Sequence, residues 1–358
     1  MPSLKEIKGR INSISSTLAI TSAMKMVASA KLQKAQMAIQ NMLPYERRLY
    51  SMLVDLMGAM NISAAASEDG SVRGSGSAER GFDQSGDRLS LSNRHDLAGM
   101  DGAYSLMAQR EVRKVAIVAF ASNSSLCGAF NSNVIREATA VINEYRASGL
   151  RDSDIVVYSV GRKMAEAMRK LGFPSPADFT KMSDSPSYDA ASALAQELFD
   201  GFVSGRFDKV ELVYNHYKST SSQPTTRQTY LPLSLADAIA DLQAGKIADS
   251  ASESDTNRGA EPVGAPVVRQ GSPTTEDLIV EPSKEALIAT LLPKVIRLRI
   301  FTTLLDSAAA EHAARTVAMQ LATDNGNDLL QELTLEYNKG RQQKITSEIL
   351  DLVGGSLQ

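Results

Sequence analysis

The fold is decided first by residues 4–60, which read LKEIKGRINSISSTLAITSAMKMVASAKLQKAQMAIQNMLPYERRLYSMLVDLMGAM. Alternating steps of three and four residues through this stretch visit seventeen positions, of which fourteen are apolar. This heptad seam is typical of a long helix that pairs with another helix. Such a helix extends about 85 Å at ~1.5 Å per residue and has to protrude from its domain. The positions are Leu4, Ile7, Ile11, Ile14, Leu18, Thr21, Lys25, Ala28, Leu32, Ala35, Ile39, Met42, Glu46, Leu49, Leu53, Leu56 and Met60.

The seam is interrupted in its middle. Thr21 and Lys25 are polar, whereas Met24, Met26 and Val27 beside them are apolar. The sequence therefore predicts that the apolar face shifts here, as an inserted stutter would make it do.

A second helical pattern occupies residues 283–358. Pro293 predicts a kink or a local break in it, and Pro44 predicts a bend in the first helix. Since each seam needs a partner, the two terminal helices are expected to pair antiparallel. The apolar positions of the second pattern are Leu287, Leu291, Val295, Leu298, Leu305, Val317, Leu321, Leu329, Leu333, Ile345, Ile349 and Leu352.

Residues 111–232 carry a different pattern. Short apolar runs alternate with helical stretches, which indicates a doubly wound, Rossmann-like α/β domain with a parallel sheet. The predicted strands are 115–121, 155–160, 210–215 and an edge strand at 228–231, and the predicted helices are 133–147, 162–171 and 189–204.

Two stretches interrupt this organisation. Residues 61–110 and 233–282 are rich in Ser, Gly, Asp and Ala and poor in large apolar side chains. Both are predicted to be flexible insertions, with short helices near Leu106 and at 235–242. A role as a rotation brake or a regulator site is the alternative to flexible decoration.

Composition excludes several classes of protein. The chain has 38 Lys and Arg against 41 Asp and Glu, so no basic excess is available to coat nucleic acid. One cysteine excludes a disulfide framework, and three scattered histidines argue against a metal centre. Neither a membrane-spanning apolar run nor an amino-terminal signal core is recognisable, so we expect an intracellular chain.

Few residues suggest catalysis, and no cofactor site is predicted. A Walker phosphate loop and a dinucleotide fingerprint are both missing from the sequence. Cys127 is interpreted either as a nucleophile or as a small buried residue at a strand–helix turn. Residues 161–163 (GRK) could place an anion at a helix start or could simply be exposed.

Three stretches resemble one known family, the gamma subunit of the rotary, proton-translocating ATP synthase. They are residues 11–32 (INSISSTLAITSAMKMVASAKL), residues 125–131 (SLCGAFN) and parts of 311–355, which end in ITSEILDLVGG. The family usually has Asp-Arg-Gly at 123–125 and Gly at Ala129, so contacts made by that loop are in doubt. It usually has Ala at Gly340 and Ser356.

The resemblance implies a rotor shaft that transmits torque and regulates ATPase activity and proton flow, with catalysis on other chains. Its implied partners are the alpha and beta subunits, the epsilon subunit and the membrane c-ring. Its implied location is the cytoplasmic face of the bacterial inner membrane. The basic stretch between Ile7 and Tyr45, which lacks acidic residues, would face acidic loops of the beta subunits. The implied shaft contacts are Met24, Lys25, Arg315, Arg341, Gln342, Thr346 and Glu348, and the apolar tip is Ile349, Leu352 and Val353.

Two other functions fit the same pattern. An α/β enzyme with coiled-coil oligomerisation arms would have a ligand pocket at the carboxyl ends of its strands. A coiled-coil scaffold for unrelated partners is the third possibility.

Overall fold

The fold has two very long helices, one near each end of the chain. Between them in sequence lies a four-stranded sheet with its own helices. The computed structural model describes residues 3–68, 106, 110–233 and 284–355. The elements are α1 Leu4–Glu68, β1 Val115–Phe120, α2 Phe130–Ala147, β2 Ile155–Val160, α3 Arg162–Lys170, α4 Thr180–Asp184, α5 Tyr188–Val203, β3 Lys209–Asn215, β4 Thr225–Leu231 and α6 Lys284–Gly355. Most of the two predicted insertions, including the expected helix at 235–242, lies outside these residues, so their flexibility stays a prediction.

The sheet has the strand order β2-β1-β3-β4. Strand β1 pairs in parallel with both β2 and β3, and the edge strand β4 is antiparallel to β3. Residues 115, 117 and 119 of β1 pack among side chains of α2 and α3, whereas 116, 118 and 120 pack among those of α5 and α6. The central strand is therefore covered on both faces, as its unbroken apolar sequence predicts.

A buried carboxylate joins α2 to the β3–β4 edge of the sheet. Glu211 is 1% exposed and accepts hydrogen bonds from Tyr145 Oη and Arg227 Nε, both at 2.7 Å. Lys209 Nζ lies 2.7 Å from the same carboxylate. Burial alone would raise the pKa of Glu211, but these three donors hold it below its usual value. The paired charges explain how a glutamate is accommodated in the core.

Helices α1 and α6 form an antiparallel pair, here called the shaft. The contacts place higher residue numbers of α1 against lower residue numbers of α6. The prediction of an antiparallel terminal pair is confirmed. The contacting pairs include Leu4 with Gly340, Leu18 with Gly326, Thr21 with Thr323, Leu32 with Ala309 and Ala313, Glu46 with Thr302, and Tyr50 with Arg299.

The predicted shift of the apolar face is wrong. Thr21 stays in the seam because its hydroxyl accepts a hydrogen bond of 3.0 Å from Thr323 Oγ1. Lys25 is half-buried at the next seam position, where its aliphatic stem can lie along the partner helix. Met26 and Val27 point outward and are 66% and 58% exposed.

Both helices run through their prolines. Pro44 lies inside the 65 residues of α1 and Pro293 inside the 72 residues of α6, so neither proline breaks its helix. Helix α1 continues to Glu68, eight residues beyond its predicted end. Residues 61–68 are therefore helical, and the prediction that the flexible insertion begins at residue 61 is wrong. Beyond Gly340, which lies beside Leu4, α6 continues alone to Gly355. This single-helix tip extends about 22 Å at ~1.5 Å per residue.

Candidate functional site: the shaft surface and its seat on the domain

The single-helix tip presents four of the predicted contact residues to solvent. Arg341, Gln342, Thr346 and Glu348 are all exposed. Thr346 donates its hydroxyl hydrogen to the backbone oxygen of Gln342 at 2.9 Å, and Glu348 lies 3.7 Å from Lys344. An exposed pair of this kind is individually weak, about 1 kcal/mol or less, so these side chains remain available to a partner.

The apolar end of the tip is also uncovered. Ile349 is 54% exposed, Leu350 64% and Leu352 75%, and Val353 has its side chain outside the described set. A group of exposed apolar side chains marks a surface that another molecule covers. The tip therefore has the character of an interaction surface.

Further apolar side chains are exposed along the paired part of the shaft. On α1 they include Met26 and Val27, which the predicted shift of the apolar face would have placed in the seam. A heptad count that continues without a shift places Met26 and Val27 outside the seam. Met24 and Lys25, the predicted contacts beside them, are only half exposed. Other exposed apolar residues of the paired shaft include Ile20, Met37, Tyr45, Met52, Val317, Leu321, Leu329 and Leu335. Three of them, Val317, Leu321 and Leu329, were predicted to lie in the second seam, so that part of the prediction is wrong.

The same outer surface carries positive charge from α1. The stretch from Ile7 to Tyr45 contains no acidic residue. Its cationic side chains are exposed except that of Lys25, which is half-buried. The paired shaft therefore offers apolar groups and cations together, a combination that suits a partner with acidic and apolar groups. These cations are Lys8, Arg10, Lys25, Lys31 and Lys34.

Arg315 lies in a different environment from the other predicted contacts. It is only 8% exposed. Its guanidinium donates to the backbone oxygen of Ser125 at 2.6 Å, to Ser124 Oγ at 2.8 Å and to Glu311 at 2.5 Å. Arg315 thus ties the loop after β1 to α6, and any contact with a beta subunit stays a prediction.

The loop after β1 also fills the start of α3. Asn123 accepts a hydrogen bond from the backbone nitrogen of Arg162 at 2.7 Å, and its own backbone oxygen accepts one from the Arg162 guanidinium at 2.6 Å. Because the chain itself occupies this helix start, the interpretation of residues 161–163 as an anion site is not supported. Cys127 is 1% exposed and receives a hydrogen bond from Asn131, which matches the interpretation as a small buried residue.

The crevice at the carboxyl ends of β1 and β2 is closed. Helix α6 lies over it, and the remaining space is about 10 Å³, enough for roughly one water molecule. Its walls come from Phe120, Val160, Leu304 and Glu311, among others. In the described ranges, no cluster of three His, Cys, Asp or Glu side chains is placed to hold a metal ion.

The described helices are too polar to be membrane spans. No helix in the described part of the chain has an apolar stretch that is long and hydrophobic enough to cross a bilayer.

These features define a class of protein: an α/β domain that carries an exposed two-helix shaft with a projecting single-helix tip. Comparison with known proteins gives the family. A family model described as ATP synthase matches residues 3–357. The ATP synthase gamma chain of Phocaeicola vulgatus is 46% identical over 357 residues and that of Bacteroides thetaiotaomicron 44% over 358, with 100% of both chains covered in each case. The chain belongs to the ATP synthase gamma chain family.

Solved structures agree on the fold. A chain of the Euglena gracilis mitochondrial ATP synthase, solved as an OSCP/F1/c-ring assembly, aligns with a TM-score of 0.53 at 18% identity, covering 98% of this chain and 92% of that one. A chain of the rotor of the same enzyme aligns with a TM-score of 0.50 over 96% and 98%. The family resemblance, the fold class and the role in ATP synthase drawn from the sequence are confirmed, and the chain is a subunit of that enzyme complex.

Proposed function

We propose that the chain is the rotating shaft that carries torque between a proton-driven membrane ring and the catalytic alpha and beta subunits. It performs no chemistry itself. The observation that carries this proposal is the shaft: α1 and α6 pair antiparallel, leave the domain and expose apolar and cationic side chains to a surrounding partner. Two paired helices also resist bending better than one.

The shaft surface suits rotation because its contacts are individually weak. Exposed ion pairs contribute about 1 kcal/mol or less, so they can be broken and remade at each step without a deep energy minimum. The two helices differ in sequence around the circumference. Each beta subunit would therefore meet a different face at each angle, and its nucleotide affinity would change with that contact energy. In this way the shaft would regulate ATPase activity and proton flow.

The α/β domain is the foot in this proposal. It would rest on the c-ring together with the epsilon subunit, at the cytoplasmic face of the bacterial inner membrane. The closed crevice above β1 and β2 argues against the alternative of an α/β enzyme, because that fold binds substrate at this edge and little space is left there.

A truncation tests the shaft role in the assembled complex. Ending the chain after Asn338 removes the single-helix tip, whereas the control, ending it after Gly355, leaves α6 intact. The first variant is expected to weaken assembly and to lower proton pumping per ATP hydrolysed in vesicles, and the control is expected to match the full chain. Unchanged assembly and pumping after the longer truncation would contradict the proposal.

A further inference from the structure

Several polar contacts join the α/β domain to α6. One uses the helix backbone, because Tyr230 Oη of β4 donates to the Ile296 backbone oxygen at 3.0 Å, and three others use side chains of α6. Arg297 donates to Gln196 Oε1 of α5 at 2.7 Å. Arg315 donates to the loop after β1, as described above. Between them, Asp306 binds the residues that follow β3: one carboxylate oxygen lies 2.6 Å from His216 Nδ1, and the other accepts from the Tyr217 backbone nitrogen at 2.9 Å.

The three side-chain contacts lie on opposite sides of the helix. Arg297 and Arg315 are 18 residues apart, which is about five full turns at ~3.6 residues per turn, so they project from the same side. Asp306 is nine residues from each, about two and a half turns, and projects from the other side. The domain therefore grips α6 from two directions.

The Asp306 contact also reaches α1. Tyr217 Oη accepts a hydrogen bond of 2.6 Å from Gln36 Nε2, and the ring packs against the cluster formed by Leu32 and Ala309. The segment after β3 thus touches both helices of the shaft. Its own position is fixed by the hydrogen bond from the His216 backbone nitrogen to Pro224, at 2.9 Å.

We propose that Asp306, with His216 and Tyr217, forms a torsional lock between foot and shaft. This inference rests on the proposed torque-carrying function. Apolar packing is not directional, so packing alone allows a helix to roll about its own axis. Arg297 and Arg315 place directional hydrogen bonds on one side of α6, and Asp306 places them on the opposite side, so the two sets together oppose rolling. The link from Tyr217 to Gln36 makes α1 turn with α6. Asp306, His216 and Tyr217 act by holding the two shaft helices in position on the domain.

The test uses the assembled complex carrying Asp306→Ala. Torsional stiffness between foot and tip is measured from the rotational fluctuation of a bead on the foot while the catalytic subunits are fixed. We expect stiffness to fall at least twofold and proton pumping per ATP to drop, with assembly unchanged. Asp152→Ala is the matched control, because it removes the exposed Arg146 pair on the domain surface, away from α6. It is expected to retain full stiffness.

Two smaller changes make the result decisive. Asp306→Asn keeps an oxygen for the Tyr217 nitrogen and is expected to restore part of the stiffness, and Tyr217→Phe removes only the hydroxyl that binds Gln36. If Asp306→Ala does not assemble, Tyr217→Phe decides, with reduced stiffness supporting the lock. Wild-type stiffness in an assembled Asp306→Ala complex, or in Tyr217→Phe where only that assembles, overturns it. A wild-type complex that neither rotates nor pumps would instead refute the proposed function.

Discussion

Gly161 is the position where a single added methyl group is expected to disturb the domain most. It follows β2 and begins α3 with φ 96° and ψ 144°, a conformation that is close to a region open almost only to glycine. A Cβ at this position would lie 2.0 Å from the carbonyl oxygen of Ala121 and 2.8 Å from its carbonyl carbon. Both atoms belong to the backbone, so neither can rotate away.

The expected cost of Gly161→Ala has two parts. The backbone conformation costs about 1–3 kcal/mol for a residue with a Cβ. The overlap with Ala121 forces the two chain segments apart and adds about 1–3 kcal/mol or more. Gly172 separates the two parts, because it has φ 91° and a Cβ added there would have no neighbouring atom within 4 Å. Gly172→Ala should therefore cost only the first part.

Urea unfolding followed by circular dichroism measures both variants. We expect Gly161→Ala to lose about 2–6 kcal/mol of the ~5–15 kcal/mol typical of a domain, and Gly172→Ala about 1–3 kcal/mol. If Gly161→Ala fails to fold while Gly172→Ala folds, this also supports a larger cost at Gly161. Equal losses in the two variants would refute the reasoning that close backbone approach fixes this glycine.

Three further changes have expected outcomes. Gly326→Ala places a Cβ 2.7 Å from Leu18 Cδ2; the crowding costs about 1–3 kcal/mol, which offsets the ~1 kcal/mol gain in helix propensity, so thermal melts should show no stabilisation. The hydrogen bond with Asp306 raises the pKa of His216; its stabilisation is full below the unfolded pKa of about 6.5 and is lost as pH rises through the folded value, so His216→Gln should destabilise more at pH ~5.5 than at pH ~9 in urea titrations. Burial lowers the pKa of His312, so stability should fall as pH drops below about 6.5, and His312→Gln should remove that fall.

Each of these three predictions would be contradicted by a specific result. Thermal stabilisation by Gly326→Ala would show that the Leu18 side chain moves aside at little cost, which contradicts the expected crowding. If the stability lost in His216→Gln grew with pH, the pairing of His216 with Asp306 would be contradicted. The charged groups that face His216 are Asp306, which raises its pKa, and Lys218, which lowers it by less. For His312, the charged neighbours are Glu311, Lys31 and Arg315, and a variant with the wild-type acid profile would show that burial does not control its titration.

Much of the fold was predictable because it follows from local periodicity. The alternation of apolar strands and helices in 111–232 predicted β1, β2, β3 and the edge strand, and the structure differs mainly by a few residues at their ends. The heptad count predicted two paired helices. It failed at residues 21–27, where Thr323 offers Thr21 a hydrogen-bond partner that periodicity cannot show, and at Val317, Leu321 and Leu329 of α6, which are exposed. The reason is that a seam is defined by what lies opposite it.

The candidate site was less predictable. The exposure of Arg341, Gln342, Thr346 and Glu348 follows from the projection of α6 beyond Leu4, which depends on the register between the two helices. The burial of Arg315 depends on a loop about 190 residues earlier in the chain. A sequence pattern gives no information on such a pairing.

The sequence by itself determined the existence, approximate length and antiparallel pairing of the two terminal helices, the α/β unit between them and the family. Periodicity and motif spacing are local properties, and they are sufficient for that. The tertiary structure alone decided which charged side chains are available on the shaft and which, like Arg315 and Asp306, are used to hold it. The reason is that these hydrogen bonds join atoms brought together only when the helices dock and the domain closes around α6.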